Sequence, residues 1–171
     1  MDMKKLMSAL MLVFASGSIA LFAVLFIYEN RTLKKEIAEL KTSLDQAKPG
    51  LGEIMGTIHI HHAKLYYSAT KDNWDLAAYQ LDEIKEGLDQ ATELHDEFKT
   101  VKTPLSVLKH MTDQGLSEVD SAIKARNKPA FLMAYQHLTQ SCNQCHQAAD
   151  HPYIVVQTPT GPMFSNQKFT K

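Results

Sequence analysis

The sequence predicts an all-α protein: an antiparallel four-helix bundle that follows an N-terminal transmembrane helix and a short coiled-coil linker helix. Three observations support this prediction. Residues 6–28 contain no charged side chain. After them, apolar residues recur three and four positions apart, which is the spacing of one helix face. Four such stripes are separated by short polar connections, and no alternating pattern with hairpin turns competes with them.

The uncharged run from Leu6 to Tyr28 predicts a membrane segment. As a helix that rises about 1.5 Å per residue, it spans about 35 Å, enough to cross a bilayer. A cleaved signal peptide is the alternative, because small residues occur between Ala15 and Ala20. Signal-peptide cores are usually only about 7–15 residues long, so we expect an uncleaved, single-pass signal anchor over residues 1–28. Basic residues flank this segment on both sides and do not define its orientation.

Residues 29–48 predict a polar helix with a sparse apolar stripe. The stripe occupies heptad positions a, d, a, d and a, in the order Asn30, Leu33, Ile37, Leu40 and Leu44. Isoleucine at a and leucine at d favour parallel pairs, and asparagine at a fixes their register. The pattern covers fewer than the three or so heptads that a firm assignment needs, so a solvated linker helix is the alternative to a parallel homodimer. Pro49-Gly50 ends the helix.

Residues 51–150 contain the four stripes of the predicted bundle. The first helix presents Leu51, Met55, Ile58, His62, Leu65 and Ala69. The second presents Ala77, Leu81, Ile84, Leu88, Ala91, His95 and Phe98. The third presents Leu105, Leu108, Met111, Leu116, Val119 and Ile123. The fourth presents Phe131, Tyr135, Leu138, Cys142 and Cys145.

Helix-capping residues mark where three of these helices begin. Asp72-Asn73 precedes the second helix, and Asn127 precedes the fourth. Thr103-Pro104 precedes the third, with the proline expected at the first helical position. Residues 151–171 contain three prolines and one glycine. They predict an extended C-terminal tail that either wraps the domain surface or stays mobile.

The two cysteines of the chain fall in one motif, Cys142-Asn143-Gln144-Cys145-His146. Cys-x-x-Cys-His is the attachment signal for haem c. We therefore expect one covalent haem c, bound through thioethers to Cys142 and Cys145, with His146 as the proximal iron ligand. The three-residue spacing puts both cysteines on one helix face. A zinc site needs four ligands, and a thioredoxin-type pair belongs in a βαβ setting.

The motif also defines the expected location, since haem c is attached outside the cytoplasm. We expect a bacterial inner-membrane protein with its N-terminus inside and residues 29–171 in the periplasm. The net charge of -1 gives no electrostatic case for nucleic-acid binding. The sequence shows no carboxylate pair, nucleophile triad or second metal motif, so an enzyme is not expected.

A four-helix bundle with this motif near the end of its last helix resembles the cytochrome c-prime and cytochrome c-556 family. The resemblance covers residues 51–150 and implies that His146 is the proximal ligand and that the first helix meets the other haem face. Low-spin members place a methionine there, and five-coordinate members place an apolar residue. The stretch from Met55 to Leu65, with Asn73-Trp74, also resembles an uncharacterised family of bacterial periplasmic cytochromes. The anchor, the linker helix and the tail depart from the soluble members.

The sixth coordination position has one leading candidate. The fourth helix ends where the first begins, and His146 lies about one turn from that end. Met55 lies about one turn into the first helix on its inward stripe, so we expect it to be the sixth ligand. His59, His62 and His95 are lesser candidates, because imidazole is also a good haem ligand. An open iron site is the remaining alternative.

These expectations indicate single-electron transfer between membrane complexes and periplasmic redox partner proteins. A five-coordinate protein that binds or senses a diatomic gas is the first alternative. The second is an accessory haem subunit of a respiratory membrane complex, docked through the anchor and the linker helix.

Overall fold

A computed structural model describes residues 3–98, 101–161, 164 and 166–170, with the backbone alone at residues 4–6, 8–10 and 12–16. Over these residues the chain is all-helical. Its five helices are α1 (Met3–Ala47), α2 (Leu51–Thr70), α3 (Trp74–His95), α4 (Leu105–Lys124) and α5 (Lys128–Ala148). The prediction of an all-helical bundle is confirmed. The chain divides into two compact units, one ending at Lys48 and the other beginning at Pro49.

The first unit is the single continuous helix α1, which is 45 residues long. Every large apolar side chain from Ile19 to Tyr28 is exposed, and so are the predicted heptad residues Leu33, Ile37, Leu40 and Leu44. The predicted membrane segment begins at Leu6, among side chains that lie outside the described residues. Over the part of the chain that is described, no helix has the length and apolar character needed to cross a membrane.

The second unit is built from two helical hairpins. Residues 71–73 join α2 to α3, and residues 125–127 join α4 to α5. The helices within each hairpin pack extensively, α3 also packs on α4, and α2 contacts α5. Lys128 Nζ donates to the Thr70 carbonyl at 3.0 Å, which ties the beginning of α5 to the end of α2. Because these two helices run antiparallel, the end of α5 lies beside the beginning of α2.

The core follows the predicted stripes, with one correction in α4. Met111 is 40% exposed, whereas Thr112 is buried. Gly115 is buried too. A Cβ atom at Gly115 would lie 2.8 Å from the Cα of Leu138, so the backbones of α4 and α5 approach closely here. This close approach turns the face of Thr112 and Gly115 toward α5 and leaves Met111 outside.

Two of the three predicted caps form. Asn73 accepts a hydrogen bond from the Leu76 amide at 3.3 Å, and Asn127 accepts one from the Ala130 amide at 3.1 Å. The third prediction was wrong by one residue, because Pro104 occupies the N-cap position of α4, before the first helical residue. Proline has no side-chain acceptor. The cap comes instead from Asp96, whose Oδ1 accepts from the Ser106 amide at 2.8 Å.

Candidate functional site

The two cysteines lie on one face of α5 and pack against two apolar clusters. Cys142 packs against the main core cluster. Cys145 packs against a second cluster, which contains Leu105 and Leu108 of α4. Leu51, the first residue of α2, contacts both clusters. The cysteines therefore lie in an apolar seam where the end of α5 meets the beginnings of α2 and α4.

Burial sets the protonation state of both thiols. It raises the pKa of Cys142 to about 12, with a smaller contribution from the neighbouring Cys145. It also raises the pKa of Cys145. Both thiols are therefore neutral at physiological pH, whereas the attacking thiol of a redox-active pair has a lowered pKa. The seam suits an uncharged thioether pair better than a reactive dithiol.

His146 is half-buried in the last turn of α5, and a backbone carbonyl fixes its tautomer. Its Nδ1 lies 2.9 Å from the carbonyl oxygen of Ile154. Because a carbonyl can only accept, Nδ1 carries the proton and donates it. The lone pair of Nε2 is then available to a metal, which is the usual arrangement of a ligating histidine.

The C-terminal tail returns along the end of α5 and contacts the motif a second time. The Val156 amide donates to Oδ1 of Asn143 at 2.7 Å, and Nδ2 of Asn143 donates to the Val156 carbonyl at 2.9 Å. The amide of His151 donates to the His146 carbonyl at 2.8 Å. Of the two expectations for the tail, residues 151–156 follow the first and wrap the domain surface.

Three of the four candidates for the sixth iron ligand differ in their burial and in their neighbours. Met55 is half-buried and packs against the same core cluster as Cys142. His59 is exposed on α2. His95 is half-buried, and its Nε2 donates to the Pro49 carbonyl at 2.8 Å.

His62, the fourth candidate, is enclosed in a hydrogen-bond network. The Thr139 hydroxyl donates to the Tyr135 carbonyl at 2.8 Å, so it accepts from Nε2 of His62 at 3.0 Å. The Tyr135 hydroxyl donates to the His62 carbonyl at 3.0 Å, and its oxygen also lies 2.9 Å from Nδ1 of His62. Both ring nitrogens are thus engaged. Burial, and to a smaller extent His59, lowers the pKa of His62 to about 4.

Among the described residues, no group of three or more His, Cys, Asp or Glu side chains is arranged to hold a metal ion. Comparisons with protein-family models, curated proteins and solved structures found no match for this chain. The functional interpretation therefore rests on the motif and its surroundings.

Sequence reasoning missed the contacts between the tail and the motif. Residues 151–171 have no helical periodicity, so their spacing does not pair them with any helix face. Asn143 occupies a variable position of the motif, where the attachment signal itself specifies no residue. Its pairing with Val156 becomes visible only when the tail is placed beside α5.

Proposed function

We propose that this chain is a membrane-anchored, periplasmic c-type cytochrome that transfers single electrons through one covalently bound haem c. The observation that carries the proposal is the setting of the motif at the end of α5. Cys142 and Cys145 share an apolar seam, and the Ile154 carbonyl engages Nδ1 of His146, which leaves Nε2 as the nitrogen that can ligate a metal. Two reduced thiols that can form thioethers with the haem vinyl groups, and one imidazole nitrogen that can ligate iron, are the side chains that haem c attachment uses.

Each residue of the seam has a separate task in this proposal. Cys142 and Cys145 would hold the cofactor covalently, and His146 and Met55 would ligate its iron. Apolar side chains of α2 and α4, chiefly Leu51, Leu105 and Leu108, exclude water. When bound, haem supplies a one-electron redox change, whose potential the axial ligands and their surroundings tune.

The N-terminal helix is the proposed membrane anchor. Its uncharged run from residue 6 to residue 28, and the exposed apolar side chains from Ile19 to Tyr28, support this assignment. A helix that is apolar on all sides is typical of a membrane span. We assign it to a bacterial inner membrane as a single pass, with residues 29–171 in the periplasm.

A parallel homodimer through α1 forms part of the same proposal. Leu33, Ile37, Leu40 and Leu44 expose between 50% and 72% of their surface in the single chain. They occupy the a and d positions that pack against a second copy in a coiled coil. Two copies anchored in one membrane have a raised effective concentration, which offsets the small number of heptads.

A five-coordinate, gas-binding protein is the second candidate function. The contacts of His62 and His95 favour it indirectly, because both side chains already form hydrogen bonds inside the protein. Met55 and the exposed His59 are then the remaining candidates that would close the sixth position. If neither side chain binds iron, diatomic gases gain access. An accessory haem subunit of a respiratory complex has the same ligation as the electron carrier and differs in its partner.

The optical spectrum of the ferrous protein, recorded with and without carbon monoxide, separates the two ligation states. We expect sharp, split α and β bands that carbon monoxide leaves unchanged. A high-spin spectrum that shifts on addition of the gas would contradict the six-coordinate assignment and support gas binding. The Cys142→Ser, Cys145→Ser double variant is the control and should show no covalent haem bands.

A further inference from the structure

We propose that Asn143 is a positioning residue for His146, and that it acts through the C-terminal tail. We call three residues the tail clamp, because together they hold the Ile154 carbonyl against the His146 ring: Asn143, Ile154 and Val156. This inference rests on the proposed function, in which His146 is the proximal ligand. It assigns a role to a variable residue of the motif and to a segment outside the four-helix bundle.

The amide of Asn143 fixes the tail by pairing with both polar backbone groups of one residue. It accepts from the Val156 amide at 2.7 Å and donates to the Val156 carbonyl at 2.9 Å. Two parallel hydrogen bonds define the orientation of a peptide as well as its distance. Val156 exposes only 8% of its surface, and this burial anchors the tail beside Asn143.

The fixed segment places a carbonyl behind the ligand ring. Ile154 lies two residues before Val156, and its carbonyl accepts from Nδ1 of His146 at 2.9 Å. A short turn supports this position, since the Ile154 amide donates to the His151 carbonyl at 3.1 Å and the His151 amide donates to the His146 carbonyl at 2.8 Å. The tail is thus hydrogen-bonded both to the backbone of His146, through His151, and to its ring, through Ile154.

A carbonyl at this position acts on the ligand in two ways. It fixes the tautomer and the ring orientation of the histidine, and it makes the other nitrogen a stronger donor to the metal. Stronger donation stabilises ferric iron and lowers the reduction potential. Asn143 does not contact the ring, so its loss should free the tail, weaken the hydrogen bond of Ile154 to His146, and raise the potential.

The test compares Asn143→Ala with Gln144→Ala in the full-length, haem-loaded protein. Gln144 is the other variable residue of the motif, and its side chain is exposed. The measurements are the haem content, the reduction potential and the solvent exchange of the His146 Nδ1 proton in the ferrous state. Asn143→Leu repeats the test with a side chain of similar size, so that packing is preserved.

We expect full haem content in all three variants. In both Asn143 variants the potential should rise by about 59 mV, the one-electron equivalent of a tenfold change, and proton exchange should be at least tenfold faster. Gln144→Ala should match the unmodified protein. Unchanged potential and exchange in both Asn143 variants would overturn the inference while leaving the proposed function intact. Absence of haem from the unmodified protein would contradict the proposed function, and the inference with it.

Discussion

The ring of His62 stacks on the ring of Tyr135, with centroids 4.5 Å apart, and the Tyr135 hydroxyl, which donates to the His62 carbonyl, lies 2.9 Å from Nδ1 of His62. Thr139 completes the arrangement by accepting from Nε2. The imidazole is therefore held neutral in the middle of the bundle, where a charge would have to be desolvated. This network links the stability of the fold to pH.

Stability should fall as the pH drops from 6.5 to about 4 because of His62. Burial lowers the pKa of this residue from 6.5 in the unfolded chain to about 4 in the folded one. Above pH 6.5 the ring is neutral in both states. Below it, the unfolded chain binds the proton first, so the free energy of unfolding decreases until the folded ring also protonates near pH 4. At about 1.4 kcal/mol per pH unit, the loss is about 3 kcal/mol.

Urea unfolding between pH 7 and pH 4 measures this effect against a matched pair of variants. His62→Gln should flatten the dependence, because the titrating group is gone. His110→Gln, which replaces an exposed histidine of α4, should retain the slope of the unmodified protein. Equal slopes in His62→Gln and the unmodified protein would show that His62 is not the responsible group.

Gly115→Ala should destabilise the bundle at the contact between α4 and α5. The added Cβ would lie 2.8 Å from the Cα of Leu138, and backbone cannot rotate away as a side chain can. Overpacking of this kind costs about 1–3 kcal/mol. Gly56→Ala is the control, since a Cβ on this α2 residue meets nothing within 4 Å and should stabilise the helix by about 0.5–1 kcal/mol. Chemical denaturation measures both, and equal effects would disprove the close approach.

Met55→Ala should convert the haem from low spin to high spin. The side chain packs on the core cluster that includes Cys142, and its loss would leave the sixth position without a sulfur ligand. Met133→Ala, at an exposed site of α5, is the control and should leave the spectrum unchanged. Optical and electron paramagnetic resonance spectra report the change. A low-spin spectrum in Met55→Ala would show that this residue is not the ligand and would leave His59, His62 and His95 as the candidates.

Charges on the exposed stripe of α1 should disrupt the proposed dimer. Ile37 and Leu40 occupy adjacent a and d positions and are exposed in the single chain. The double variant Ile37→Lys, Leu40→Lys should weaken self-association at least tenfold, because like charges would face each other across the dimer interface. Thr42→Lys, on the opposite side of the helix at position f, should not. Analytical ultracentrifugation in detergent measures the mass, and a monomeric unmodified protein would rule out the dimer.

Periodicity predicted the helices and the placement of the motif because both depend on local spacing. The stripe through Phe131, Tyr135 and Leu138 continues to Cys142, and this placed the cysteines against the core. Spacing could not predict that α4 turns Gly115 rather than Met111 inward, since that depends on how closely two backbones approach. It also could not predict contacts made across the chain by irregular segments, such as the cap that Asp96 provides to α4. The pairing of Asn143 with Val156 has the same origin.

The most direct test for a covalently bound haem is the mass of the peptide that contains Cys142 and Cys145. The full chain should be produced in a bacterial host that attaches haem c in its periplasm, then digested and measured by mass spectrometry. We expect a peptide heavier by one haem, with neither cysteine open to alkylation. A peptide of unmodified mass, in which both thiols react with an alkylating reagent, would contradict it.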